Sequence, residues 1–191
     1  MYELHVANSN ATSDSFADRG TFEDLHDVNE NINTGWLNDL GINWIWFQPI
    51  HPQGIEGRQI DPATSSEYEP GSPYSIRNFW EINPLYTSNY DGALPDPVSN
   101  PTNYAAAMTA FQNFVTAADA SEIQLMLDFP FNHTAPDVVL GQKGVDIFAG
   151  ISNPDGWSAS DKIRDRVPQF FSTDGSEGSL AYSNPAQSSS N

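Results

Sequence analysis

The stretch that decides the fold is residues 123–134, IQLMLDFPFNHT. It begins as an apolar, β-prone run and then supplies a carboxylate, an amide and an imidazole from Asp128, Asn132 and His133. Polar side chains at the carboxyl end of a buried strand are the usual location of chemistry in α/β folds. We therefore predict a parallel strand over 123–129 and a functional site at its carboxyl end.

Two other β-prone runs precede this strand. Residues 2–6, YELHV, predict a short strand, and residues 42–47, INWIWF, predict a second one. The second run is nearly all apolar, which is typical of a strand that is buried on both faces of a parallel sheet. We expect the three strands to share one sheet.

Apolar residues at helical spacing occur between the strands. They indicate a helix over 22–40, with Thr21 and Asp24 placed as a capping box, although Gly35 disfavours an unbroken helix. They indicate a second helix from Pro101, an imino acid that suits the first helical position. Alternation of strands with helices predicts an α/β fold with a parallel sheet and right-handed crossovers.

Composition and charge exclude several classes of partner. The chain has 191 residues and a formal net charge of -18, from 25 acidic and 7 basic side chains. So acidic a surface repels nucleic acid and anionic lipid, and we expect neither nucleic acid nor membrane as a partner. The sequence contains no cysteine, which excludes disulfides and a cysteine nucleophile.

The cellular compartment is not determined by the sequence. Its first residues, MYELH, lack the basic and apolar regions of a signal peptide, so the signal of a secreted parent protein would lie upstream. We favour an extracellular or periplasmic location over a cytoplasmic one. Oligomeric state is left open.

Four segments, in order, resemble the α-amylase family, glycoside hydrolase family thirteen. They are residues 2–6, residues 41–50 with a terminal proline, residues 71–84 with Tyr74, and residues 128–133, in which three residues separate Asp128 from the Asn-His pair. The resemblance implies a (β/α)₈ (TIM) barrel. Residues 1–134 would supply the first three parallel strands with two helices, and residues 135–191 the start of an inserted domain.

The resemblance also implies an activity, the cleavage or transfer of α-glucosidic bonds in starch-like glucans or maltooligosaccharides with retention. Such chemistry uses two carboxyl groups about 5–5.5 Å apart, one as nucleophile and one as acid/base. In the family these acids follow the fourth and fifth strands. We therefore expect no catalytic residue in this chain, and we expect the 191 residues alone to be inactive.

Roles for four residues follow from the same resemblance. Tyr74 would stack on a sugar ring, His133 would hydrogen-bond its hydroxyls, and Asp128 would organise the site rather than act as nucleophile. Asn132 is a calcium ligand in many members, which makes calcium the expected cofactor. The alternatives are a buried loop tyrosine, a surface histidine and a loop-capping amide.

Two residues near Tyr74 carry further expectations. Arg77 is expected to pair with a carboxylate, since arginines are scarce in so acidic a chain. Ser75 stands where glucosidases of the family carry Asp, which favours an amylase-like or transferase-like specificity over an exo-glucosidase. His51 lies in a proline-rich loop, and substrate contact there is a less favoured interpretation.

Two other interpretations compete with an enzyme fragment. The parent could be a non-catalytic relative, kept as a sugar-binding or protein-interaction module. The chain could also be complete as given, which we disfavour because three parallel strands cannot close a barrel and would expose hydrophobic edges.

Overall fold

The computed structural model divides into two compact units. One comprises Met1–Ile50 and Ile82–Phe129, and the other comprises His51–Glu81 and Pro130–Asn191. The expected boundary between residues 134 and 135 stays a prediction. Residues that the structure describes are 1–13, 16–55, 72–90, 101–151, 156–166, 171–173 and 180–182.

A parallel sheet forms the centre of the first unit. Its strands, in the order β1-β2-β3, are Tyr2–Leu4, Trp44–Phe47 and Gln124–Leu127. Phe47 of β2 lies opposite Leu4 on one side and Leu127 on the other. The predicted three-stranded parallel sheet is confirmed, although β1 is shorter than expected because a 3₁₀ turn begins at Val6.

Among its described residues, this unit has the α-helices α1, Thr34–Asp39, and α2, Pro101–Ala120. Helix α2 begins where the proline predicted it. The prediction of a helix over 22–40 was wrong, because the chain forms only a 3₁₀ turn, Asp24–His26, before α1.

Local side-chain hydrogen bonds explain this break. The predicted capping box forms, since Thr21 N–H donates to Asp24 Oδ2 (2.7 Å) and Asp24 N–H donates to Thr21 Oγ1 (3.4 Å). The Asp27 carboxylate then accepts from the Asn29 N–H (2.9 Å), and Asn33 Oδ1 accepts from the Trp36 N–H (2.9 Å). Such bonds offer the backbone an alternative to helix and favour turns and caps.

An aromatic cluster lies at the core of the first unit. Phe22, Phe47 and Phe114 are fully buried, and their rings lie 5.6 to 6.2 Å apart between centroids. The other face of β2 is less covered, since Trp44 is 37% exposed. Burial of both faces was the expectation, so this part of the sheet differs from it.

The second unit contains α3, Gly141–Ile151, and α4, Ile163–Arg166. It also contains an antiparallel pair of strands, β4, Phe171–Thr173, and β5, Leu180–Tyr182. The sequence indicated only short apolar patches here, because glycines such as Gly141 and Gly144 lower helix propensity. No helix among the described residues has the length and hydropathy needed to cross a membrane.

Candidate functional site

Tyr74 lies at the tip of a tight turn in the second unit. The Ser75 N–H donates to the Ser72 carbonyl (3.0 Å), and the Tyr74 N–H donates to Ser72 Oγ (3.2 Å). Serine at the first position of a turn and proline at the second are favoured, which is the arrangement of Ser72 and Pro73. The sequence thus places a half-buried aromatic ring at a loop tip.

Backbone hydrogen bonds join the Tyr74 segment to the preceding segment of the same unit. Arg77 N–H donates to the Pro52 carbonyl (2.8 Å), and Gly54 N–H donates to the Ser75 carbonyl (2.8 Å). Gln53 and Ile76 form an antiparallel bridge between these bonds. These backbone hydrogen bonds therefore hold the Tyr74 turn against residues 52–54.

The Tyr74 segment is also joined to the segment after His133. Ala135 N–H donates to the Ile76 carbonyl, and Val139 N–H donates to the Arg77 carbonyl, both at 2.8 Å. Ile76 lies two residues after Tyr74, and Ala135 lies two residues after His133. The structure therefore joins the segment that carries Tyr74 to the residues that directly follow His133.

Asn132 and His133 are both exposed and contact each other. His133 Nδ1 lies 2.9 Å from Asn132 Oδ1. Because an amide oxygen only accepts, this contact makes Nδ1 the protonated nitrogen, and a neutral ring then offers Nε2 as an acceptor. An acceptor in this position suits a sugar hydroxyl.

Asp128 belongs to the first unit and follows β3 directly. Its N–H donates to the Phe47 carbonyl at 2.9 Å, which continues the ladder between β2 and β3 by one residue. The side chain is half-buried. Asp128 therefore stands at the carboxyl end of the sheet, where the sequence predicted it.

Asn132 by itself does not make a calcium site. Calcium takes six to eight oxygen ligands, and the Asn132 oxygen, which accepts from His133, would be only one of them. Among the residues that the structure describes, no three His, Asp or Glu side chains gather closely enough to hold a metal ion. Calcium stays a prediction, and its other ligands would come from other segments.

Arg77 has the carboxylate partner that was expected. Its Nε lies 3.2 Å from Asp137 Oδ2, and the two side chains are 5% and 1% exposed. Asp137 Oδ2 also accepts from the Ile55 N–H at 3.0 Å. The sequence analysis missed Asp137, because nothing in the sequence links it to an arginine far upstream.

Two histidines are held away from solvent. His51 is buried, and its Nδ1 lies 2.9 Å from the Glu81 carbonyl. Burial lowers the pKa of His51, and the backbone hydrogen bond partly opposes that shift. This burial speaks against the substrate contact considered for His51. His5 packs edge-on against Tyr86, with ring centroids 5.8 Å apart.

Sequence comparison finds relatives in one class of enzyme, although no family model matches the chain. A cyclomaltodextrin glucanotransferase of Geobacillus stearothermophilus is 31% identical over 114 residues, which cover 59% of this chain and 13% of the relative. One from Bacillus licheniformis is 29% identical over 105 residues, covering 55% of this chain and 12% of the relative. The matched region is thus a small part of these relatives' own length.

Solved structures resemble the chain in fold. An α-amylase from Lactobacillus plantarum superposes with a TM-score of 0.55 at 20% identity, covering 98% of this chain and 31% of the amylase. The γ-cyclomaltodextrin glucanotransferase of alkalophilic Bacillus clarkii gives 0.54 at 16% identity, covering 96% of this chain and 26% of that enzyme. At these identities the likeness establishes the fold, an α/β arrangement with parallel strands.

Proposed function

The chain resembles the α-amylase family in sequence and in fold, and from this premise we propose that it is the first part of the catalytic barrel of a retaining α-glucan hydrolase or transglycosylase. The observation that carries the proposal is the similarity over 114 residues to a cyclomaltodextrin glucanotransferase. The parent would act on starch-like glucans or maltooligosaccharides.

The exposed edge of the first unit supports a barrel that continues beyond β3. Val115, Met126 and Leu127 are 38%, 40% and 41% exposed. An open groove of about 300 Å³ lies between α2 and β3 and includes Val115 and Leu127 in its lining. An apolar groove and edge of this kind fit the next strand and helix of a closed (β/α)₈ barrel.

The residues of this chain would form one wall of the sugar site. Tyr74 would present its ring to the C–H face of a pyranose, and His133 Nε2 would accept from a hydroxyl of the same sugar. Asp128, at the carboxyl end of β3, would hold neighbouring side chains of the site in place through hydrogen bonds to its carboxylate. The nucleophile and the acid/base would come from polypeptide that follows the fourth and fifth strands, so this chain alone would bind sugar weakly and cleave nothing.

Calcium is part of the proposal as a structural ion. Asn132 would supply one oxygen ligand, and the ion would tie the segment after β3 to the barrel. Addition of calcium to the chelator-treated full-length protein should then raise its unfolding temperature, and N132A should reduce that rise. An equal rise in both proteins would remove Asn132 from the ligand set.

The test of the function uses the full-length protein that contains this chain, with maltoheptaose as substrate. We expect release of reducing ends or formation of longer and cyclic glucans. Y74A should lower kcat/KM by at least about tenfold, because it removes the stacking ring, whereas Y74F keeps the ring and should stay near the parent value.

Two results would overturn the proposal in different ways. Binding of maltoheptaose without any cleavage or transfer would favour the non-catalytic sugar-binding relative. Equal activity of Y74A and Y74F would remove Tyr74 from the sugar site even if the enzyme acts on glucans.

A further inference from the structure

We infer that Arg77 and Asp137 are positioning residues, which hold the Tyr74 turn in register with the segment that carries His133. The inference deepens the proposed function, on which it rests. Arg77 lies three residues after Tyr74, and Asp137 lies four residues after His133. Their ion pair therefore links the two sugar-contacting segments at a fixed distance from each contact residue.

The Arg77–Asp137 ion pair is deeply buried, and its charged atoms are in contact. Its Nε to Oδ2 distance is 3.2 Å, with 5% and 1% of the two side chains exposed. A buried ion pair adds little net stability over an apolar pair of similar shape, because desolvation offsets the attraction. Separating the two charges, however, would leave each of them buried away from its counter-charge, so the ion pair resists displacement of one segment from the other more than apolar packing does.

Asp137 holds a third segment as well. The Ile55 N–H donates to the same Oδ2 at 3.0 Å. A Cβ at Gly54 would lie 2.8 Å from Asp137 Oδ1 and 2.7 Å from the Ala135 Cβ, so only glycine lets this segment approach so closely. Asp137 thus contacts the segment around Gly54 and the segment around Arg77 at once.

Two backbone hydrogen bonds join the Tyr74 segment to the segment after His133, and we expect the ion pair to fix the angle between these segments. The Ala135 and Val139 N–H groups, which flank Asp137 in the chain, donate to the Ile76 and Arg77 carbonyls. Loss of the pair would leave these two bonds as a hinge. We expect the Tyr74 turn then to shift relative to His133. A shift of about 1 Å would be enough to lower the rate of catalysis strongly.

The experiment compares four variants of the full-length protein: R77M, D137N, the double variant R77M/D137L and the control K143M. The control removes the more exposed Lys143–Glu81 ion pair of the same unit, whose Nζ to Oε2 distance is 3.6 Å. Each protein is characterised by its unfolding temperature, by kcat and KM for maltoheptaose, and by amide hydrogen exchange of Ala135 and Val139.

The double variant separates positioning from stability. R77M and D137N each remove one charge of the buried ion pair and should lower the unfolding temperature. R77M/D137L packs two apolar side chains and should recover the unfolding temperature except for the share lost with the acceptor of the Ile55 N–H, yet its kcat/KM should stay on the order of 10- to 100-fold below the parent value. K143M should match the parent in kcat and KM.

Recovery of both stability and kcat/KM in the double variant would overturn the inference, because the pair would then be only structural. Failure of the proposed function has a different signature. If the parent neither binds nor converts maltoheptaose, the proposed sugar site is wrong. Faster exchange of the Ala135 and Val139 amides in R77M/D137L than in K143M would still show that the ion pair holds the two segments together. Equal exchange in the two proteins would overturn this holding role of the ion pair as well.

Discussion

Close approach of three chain segments at Gly54 is a tight packing constraint at the residue scale. The glycine lies against Ala135 and Asp137 on one side, and its N–H donates to the Ser75 carbonyl on the other. The fold requires glycine here because there is no room for a side chain, and not because the backbone adopts a positive φ. Substitutions that add volume here act on the same segments that carry Tyr74 and His133.

G54A should therefore destabilise the full-length protein by about 1–3 kcal/mol through overpacking. Urea unfolding measures the effect. The matched variant A135G removes the atom that the new Cβ would meet at 2.7 Å, so G54A/A135G should be less destabilised than the sum of the single changes. Strict additivity would show that the Ala135 contact is not the cause.

The competition between helix and side-chain hydrogen bonds decides the structure at the element scale. Residues 22–40 have the apolar spacing of one long helix, but Asp27 and Asn33 hydrogen-bond to nearby backbone and divide it. Asn33 also donates from Nδ2 to the Glu30 carbonyl at 2.7 Å, so it closes one turn and begins the next element. Helix α1 is short enough for its cap to contribute much of its stability.

N33A should cost about 1 kcal/mol of unfolding free energy, because the Trp36 N–H loses its acceptor at the start of α1. Denaturant unfolding of the full-length protein gives the value. The exposed Asn31 supplies a matched control two residues away. N31A should have an effect near zero, and equal losses in N31A and N33A would refute the capping role.

The whole molecule combines a strongly acidic surface with histidines that are shielded from water. Burial lowers the pKa of His5, as it does that of His51. A histidine whose folded pKa lies below its unfolded value of 6.5 binds fewer protons when folded than when unfolded. Stability from such a group is present above pH 6.5 and is lost as the pH falls below it.

The free energy of unfolding should accordingly fall as the pH is lowered from about 7.5 to about 5.5. H5Q removes one of the titrating groups and should make this decline shallower. Urea unfolding of the full-length protein at several pH values measures both slopes. Parallel slopes for H5Q and the parent would show that His5 does not contribute to the pH dependence.

Local signals account for the parts of this fold that were predicted. Apolar runs ending in polar residues predicted β2 and β3, and Pro101 predicted the start of α2, because each signal lies within a few residues of its effect. The turn at Tyr74 was not predicted, although Ser72 and Pro73 are local signals for it. Helix α3 was missed because its glycines weaken the propensity signal, and its formation depends on packing in the second unit.

The sequence by itself therefore predicted the three parallel strands and the helix that follows Pro101, since their patterns are short in range, whereas the residues proposed for the sugar site came from the resemblance to the α-amylase family. Only the tertiary structure decided that Asp137 pairs with Arg77, that Gly54 packs on Ala135, and that the Tyr74 and His133 segments are joined through Ile76 and Ala135. These contacts link residues distant in the chain, and their partners are selected by the folded geometry rather than by neighbouring residues.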